Sequence, residues 1–225
     1  GEGRPVIAVV GINDAPETTD YLLPTGILRR ADIADVVLLA TEEGPVQLYP
    51  ALRVEPDATI AAFDAEYPEG ADYVIVPAMS RDDDPAILAW LQDQSRKGAR
   101  IIGVCAGAKV VGAAGLLDHR RATTHWYYLG EMLKRNPSIE YVSDRRFVFN
   151  KGVVTTTGIT ASEVHVTGRP KDPEGVKALA VAAYKCFENY RPGGMRFWGG
   201  SIILEPGLVE ADFKEIADKG VWLAK

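Results

Sequence analysis

Short apolar runs alternate with amphipathic stretches along most of this chain. Residues 6–10 form a continuous run, Val-Ile-Ala-Val-Val, that ends at Gly11. That is the pattern of a strand buried on both faces. Residues 20–30 read as a helix, with Leu22, Leu23, Ile27 and Leu28 available for its buried face. Pro24 falls in its first turn, where proline costs little. A second strand is predicted at 36–40, a proline-punctuated hairpin or edge excursion at 46–48 and 52–54, and a third core strand at 73–76. Residues 84–96 open with acidic side chains and Pro85 and end just before Gly98, which marks a helix. A fourth apolar run occupies 101–104, and the small residues after it read as a helix. Residues 126–134 look helical and stop before Asn136-Pro137. The runs 147–149 and 153–156 flank Asn150-Lys151-Gly152, which predicts an antiparallel pair. Beyond them a helix is expected at 176–190, a strand at 201–204 and an amphipathic helix at 209–219. Strands and helices alternating at this rhythm build a mostly parallel sheet covered on both faces. Residues 4–190 are expected to form that α/β domain, with 191–225 an extension packed on it or on a dimer partner.

Composition narrows the picture without deciding it. The chain has 225 residues, is 47% hydrophobic and 25% charged, and can bury a substantial core without staples. Its net charge of −6 gives no electrostatic reason to expect nucleic acid or an anionic membrane as partner. No apolar stretch approaches the roughly 18 to 20 residues that cross a bilayer. The two cysteines, Cys105 and Cys186, have neither metal-ligand spacing nor a disulfide framework. The sequence begins Gly1-Glu2-Gly3-Arg4 rather than with methionine. A cytoplasmic location is expected, the alternative being an exported protein whose signal has been removed.

The chemistry concentrates at Gly103-Val104-Cys105-Ala106-Gly107-Ala108. An apolar strand runs into this turn and a small-residue helix leaves it, so Cys105 sits on a nucleophile elbow. The helix amides and dipole there are expected to lower the thiol's pKa. A free cysteine can also be merely a small buried residue. Three other segments should reach the same carboxyl edge of the sheet, where ligands bind. One is 14–20, rich in carboxylates. The second is Pro77-Ala78-Met79, whose amides could complete an oxyanion hole with that of Ala106. The third is Thr123-Thr124-His125-Trp126. Cysteine, histidine and carboxylate together suit acyl transfer, hydration or carbonyl addition. Each has a plainer role available. His125 could be a structural residue among threonines and aromatics, and Asp20 a helix N-cap. His119, beside two arginines, reads as solvated surface, and His165 has no third ligand at a metal spacing.

These residues resemble the PfpI superfamily, the cysteine-elbow branch of the class I glutamine amidotransferase-like fold, from about residue 6 to about residue 162. The elbow carries the resemblance, together with Ala114-Gly115-Leu116-Leu117-Asp118 leading to Arg121-Ala122-Thr123-Thr124-His125-Trp126. That second run is similar to isonitrile hydratases and to the sensor domains of AraC-type transcription regulators. Near the start, Asp20 stands four residues before Pro24, with Leu28-Arg29-Arg30-Ala31 beyond. The resemblance implies a flavodoxin-like three-layer sandwich in which an Asp or Glu at the position of Asp20 hydrogen-bonds the thiol. Glu17 is the weaker candidate. The chain departs from the pattern in three places. Ala106 stands where isonitrile hydratases carry a catalytic threonine. Pro77-Ala78-Met79 replaces a usual Pro-Gly-Gly, and Gly168-Arg169-Pro170 interrupts what is usually a long helix.

The implied function is a cysteine-dependent lyase or hydrolase acting on a small carbon–nitrogen or carbonyl compound. Cys105 would be the nucleophile, Asp20 would hold or protonate it, and His125 would assist proton transfer. Ala106, Ala78, Met79, Gly107 and Trp126 would line the oxyanion and substrate pocket, with no metal or organic cofactor. The alternatives are a ligand-sensing domain or a glyoxalase- or chaperone-like stress protein of the same superfamily. No basic helix-turn-helix segment is legible, which argues against a complete regulator. Relatives commonly dimerise, so a homodimer is expected, and Phe197, Trp198, Ile202, Ile203, Val221, Trp222 and Leu223 supply apolar tail surface.

Overall fold

The computed structural model describes residues 3–49, 52–143, 145, 147–157, 195–198 and 201–204. Strand β1 (Val6–Gly11) leads to helix α1 (Thr18–Ala31) and then β2 (Asp35–Ala40). The short β3 (Val46–Gln47) and β4 (Arg53–Val54) form the expected antiparallel excursion. Next come β5 (Ala58–Thr59), α2 (Ile60–Glu66), β6 (Tyr73–Val76), α3 (Pro85–Arg96), β7 (Arg100–Gly103) and α4 (Gly107–Ala113). After them β8 (Arg121–Ala122), a 3₁₀ turn (Trp126–Tyr128), α5 (Leu129–Arg135) and β9 (Glu140–Tyr141) precede the pair β10 (Phe147–Asn150) and β11 (Val153–Thr156). A separate hairpin, β12 (Met195–Trp198) with β13 (Ser201–Leu204), contains the strand expected at 201–204. The helices expected at 176–190 and 209–219, with Cys186 and His165, lie outside the described residues.

Seven strands make the main sheet in the order β10-β11-β7-β6-β1-β2-β5. Every neighbouring pair is parallel except the edge pair β10–β11. From β1 the chain moves outward first through β2 and β5 and then, in the other direction, through β6 and β7. The strand order therefore reverses at β1/β6, where an open α/β sheet leaves a crevice at its carboxyl edge.

Alternation along β1 divides the core. Ile7 and Val9 pack on one face with Tyr21 of α1, Leu38, Ala40 and Ile75. Ala8 and Val10 pack on the other with Val74, Val76 and Ile101, beneath Phe63 of α2, Ile87 and Leu91 of α3, and Val110 and Val111 of α4. Helices cover both faces, as the periodicity predicts. Among the described residues no helix is long and apolar enough to cross a membrane.

Helix α1 departs from its expected register. It begins at Thr18, capped by Glu17, so Pro24 lies inside the helix rather than in its first turn. The proline withholds the N–H that would bond the Asp20 carbonyl. The inward face is also partly different: Leu22 and Leu28 pack on the core as expected and Asp20, Tyr21 and Thr25 are buried, while Leu23 is 40% and Ile27 61% exposed. Polar anchoring accounts for this choice. The Tyr21 hydroxyl donates to the Leu39 carbonyl at 2.8 Å, and Thr25 Oγ1 donates to the Tyr21 carbonyl at 2.8 Å. The α2 segment and β5, absent from the sequence reading, are held by Thr59, whose hydroxyl caps α2.

One contact fixes how α4 meets the sheet. A Cβ on Gly107 would lie 2.0 Å from the Val76 carbonyl oxygen and 2.9 Å from that of Pro77. Neither obstacle is a side chain that can swing aside. Gly107→Ala is therefore expected to destabilise the fold by about 3 kcal/mol, the upper end for overpacking. Thermal unfolding of the variant beside wild type checks this, with Gly26→Ala, where nothing lies within 4 Å, as control.

Candidate active site

Strand β7 delivers Cys105 to the carboxyl edge, and the backbone there is strained as an elbow requires. The Val104 N–H still pairs with the Val76 carbonyl at 2.9 Å. Cys105 then adopts φ +57°, a left-handed conformation unfavourable for a residue with a side chain. Three bonds hold the turn. Gly107 N–H donates to the Val104 carbonyl at 2.7 Å, Thr124 Oγ1 donates to the Cys105 carbonyl at 2.9 Å, and Cys105 N–H donates to Thr156 Oγ1 at 3.4 Å. The half-buried thiol is free of any disulfide.

Asp20 is the buried carboxyl of the site, only 2% exposed. One of its oxygens accepts the Ala78 N–H at 2.9 Å. Burial pushes its pKa up to about 7; the Ala78 hydrogen bond opposes the rise and the charge of Glu17 adds to it. Asp20 is thus not the N-cap. That role belongs to Glu17, whose Oε2 accepts the Asp20 N–H at 2.9 Å and the Thr19 hydroxyl at 2.5 Å. The loop carrying both acids is pinned to the loop after β6: Glu17 N–H donates to the Ala78 carbonyl and Ser80 N–H to the Ala15 carbonyl, each at 2.8 Å.

The thiol's electrostatics differ from the sequence expectation. Burial pushes the Cys105 pKa well above its ordinary value, the charge of Asp20 pushes it further, and only a hydrogen bond from the Ala106 N–H favours the thiolate. Helix α4 has 7 residues, too few for its dipole to outweigh burial. Asp20 and the thiol interact through charge, and among the described residues no hydrogen bond joins the carboxyl to the sulfur.

The remaining predicted residues divide. Ala106 N–H is aimed at the sulfur. The Ala78 N–H is engaged by Asp20, and Gly107 N–H closes the elbow, so neither is open to a developing anion. Gly107 acts through close packing instead. Met79 pairs with Pro16 in an isolated bridge whose two bonds leave out its own N–H. Trp126 opens the 3₁₀ turn. His125 is buried, and its segment is brought to the elbow by Thr124. Its Nδ1 accepts the Tyr127 N–H at 3.2 Å, and burial lowers its pKa to about 4. It is neutral at pH 7, which suits anchoring the turn better than carrying protons. His119 is exposed, as expected. Among the described residues no cluster of three or more His, Cys, Asp or Glu is placed to hold a metal.

Two residues escaped the sequence reading. The Tyr128 pKa is raised to about 12, first by burial and next by the charge of Cys105, and its segment is tied to the elbow through Thr124. Lys109 holds its ammonium 4.8 Å from the centre of the Tyr128 ring and pairs with Asp82 at 3.1 Å and Glu131 at 2.9 Å. The available signal was spacing. Lys109 follows Cys105 by four positions and Tyr128 follows His125 by three.

The elbow cysteine, its buried acid and the sheet order match a known family. Residues 6–165 fit the DJ-1/PfpI family model. The chain belongs to the DJ-1/PfpI family. It is 41% identical over 110 residues to an enamidase of Eubacterium barkeri, covering 48% of this chain and 26% of that protein. It is 30% identical over 135 residues to the HTH-type transcriptional regulator CdhR of Pseudomonas aeruginosa, covering 59% and 38%. It is 39% identical over 79 residues to an isonitrile hydratase of Pseudomonas putida, covering 35% and 33%. The chain thus spans between 26% and 38% of the length of these curated relatives. The solved structure of Drosophila melanogaster DJ-1beta shares the fold, with TM-score 0.62 at 20% identity over 79% of this chain and 98% of that one.

The raised Asp20 pKa makes stability depend on pH. The folded protein keeps this proton up to about pH 7, whereas the unfolded chain releases it near the ordinary value of 3.8. The stabilisation is complete below the lower value and is lost as pH rises through the upper one. Asp20→Asn, which retains an acceptor for the Ala78 N–H, is expected to flatten that loss. Melting temperatures measured from pH 4 to pH 8 should fall less steeply in the variant, and parallel curves would contradict the assignment.

Proposed function

We propose that this protein is a cysteine-dependent enzyme, a lyase or hydrolase for a small carbon–nitrogen or carbonyl compound. The observation that carries the reading is Cys105 at a left-handed elbow within the field of the buried Asp20 carboxyl, whose pKa is pushed up to about 7. A carboxyl poised there can take the thiol's proton and return it at neutral pH. In the first step the thiol proton passes to the Asp20 carboxylate, a sulfur–carbon bond forms, and the π electron pair moves onto nitrogen or oxygen. The N–H groups of Ala106 and Met79 stabilise that developing charge. Water then gives one proton to that nitrogen or oxygen and bonds its own oxygen to the carbon as the carbon–sulfur bond breaks, and Asp20 returns its proton to the departing thiolate. The matches to an enamidase and an isonitrile hydratase support a carbon–nitrogen substrate.

A second reading is a ligand-sensing domain. The match to CdhR over 59% of the chain favours it, as does Ala106 at the position where isonitrile hydratases carry a catalytic threonine. One experiment separates the two. Wild type, Cys105→Ala and Asp20→Asn are incubated with panels of small isonitriles, nitriles, amides and aldehydes, and both turnover and the intact protein mass are followed. An enzyme should lose all turnover in Cys105→Ala and about a hundredfold in Asp20→Asn. Saturable binding that survives Cys105→Ala, with no adduct and no product, supports the sensor.

We also propose a homodimer of this chain. Light scattering at micromolar concentration should then give twice the 24.4 kDa of one chain, and a monomer mass would refute it.

A further inference from the structure

Tyr128 has no part in the mechanism above, yet its surroundings are unusual. The ring is held on several sides. The Lys109 ammonium lies 4.8 Å from its centre, and the rings of Tyr127 and His125 meet it edge-on at 5.0 and 6.3 Å. The Tyr128 N–H donates to the His125 carbonyl at 3.0 Å, and the same short segment is tied to the elbow through Thr124. The phenol is half-buried, and among the described residues its hydroxyl has no hydrogen-bond partner. A clamped ring with an unengaged donor, on the segment that Thr124 ties to the Cys105 carbonyl, is arranged to meet something that is not part of the protein.

We propose that the Tyr128 hydroxyl hydrogen-bonds the substrate atom that receives the electron pair when Cys105 adds to a polarised C=O or C≡N bond. This inference rests on reading Cys105 as the nucleophile. As the sulfur–carbon bond forms, the π pair moves onto the oxygen or nitrogen, and the phenol O–H donates to it and passes its proton across. The resulting phenolate recovers a proton from water. The Lys109 cation over the ring face stabilises phenolate character as it develops. The residue also defines the substrate class. The compound must present an acceptor lone pair on the atom next to its electrophilic carbon, so alkyl electrophiles that react by displacement gain nothing from Tyr128.

That difference supplies the test. Wild type, Tyr128→Phe and Tyr127→Phe are treated with two thiol reagents, and labelling of Cys105 is followed by intact mass and peptide mapping. Iodoacetamide alkylates by expelling iodide and places no charge on a neighbouring atom. The activated nitrile 2-cyanopyrimidine adds sulfur to carbon and leaves the electron pair on nitrogen. Tyr128→Phe is expected to slow the nitrile reaction roughly ten- to a hundredfold, the range for a hydrogen bond to a charged group. It should leave iodoacetamide labelling within about twofold. Tyr127→Phe should change neither. Equal slowing with both reagents would show that Tyr128 only shapes the site, and an unchanged nitrile rate would show that it does not touch the adduct; either overturns the proposal. Failure of both reagents to label Cys105 in the wild type would instead overturn the nucleophile reading, and this inference with it.

Discussion

The approach of one backbone to another at Gly107 sets the geometry on which the site depends. With Val76 oxygen lying 2.0 Å from where a Cβ would stand, helix α4 starts almost in contact with the end of β6. The chain leaving β7 therefore has very little length in which to turn. It does so by forcing Cys105 into a left-handed conformation and bonding Gly107 N–H back to Val104. Strain at one residue is tolerable because the pieces on either side are rigid. The sheet holds Val104, and the buried Val110 and Val111 hold the helix.

Around that elbow the other loops are joined by backbone hydrogen bonds as well as by apolar contact. The loop after β1 pairs with the loop after β6 on both sides of the Pro16–Met79 bridge. It also pairs with Tyr49, whose N–H donates to the Pro16 carbonyl at 2.8 Å and whose carbonyl accepts the Thr18 N–H at 2.9 Å. Asp20 completes this lattice through Ala78. A carboxyl that accepts a backbone N–H at this depth sits in a dry position. That dryness is what raises its pKa.

The sheet was legible because its strands are continuous β-branched runs broken by glycine and proline. The elbow was legible because small residues at 106–108 serve no obvious purpose in an ordinary helix. The expectation for Asp20 came through resemblance, and spacing alone would not have separated it from a cap. What was hidden has a common origin in tertiary contacts that override local pattern. Leu23 and Ile27 looked like the buried face of α1, but Tyr21 and Thr25 turn inward because the sheet offers Tyr21 an acceptor and the helix backbone offers one to Thr25. The thiol's pKa followed burial and a neighbouring charge rather than a helix end. Tyr128 and Lys109 meet across two elements that nothing in the sequence connects.

The ion network behind Tyr128 limits how far the Lys109 charge reaches. Lys109 is bound to Asp82 and Glu131, and Arg135 also reaches Asp82. Burial alone would raise the Asp82 carboxyl, but hydrogen bonds from Arg135 and Lys109 hold it below its ordinary range. These cations are therefore already neutralised by acids of the protein itself. The lysine's field is therefore confined to the Tyr128 ring that it covers at 4.8 Å, and the charge acting on the Asp20 carboxyl is the acidic one of Glu17.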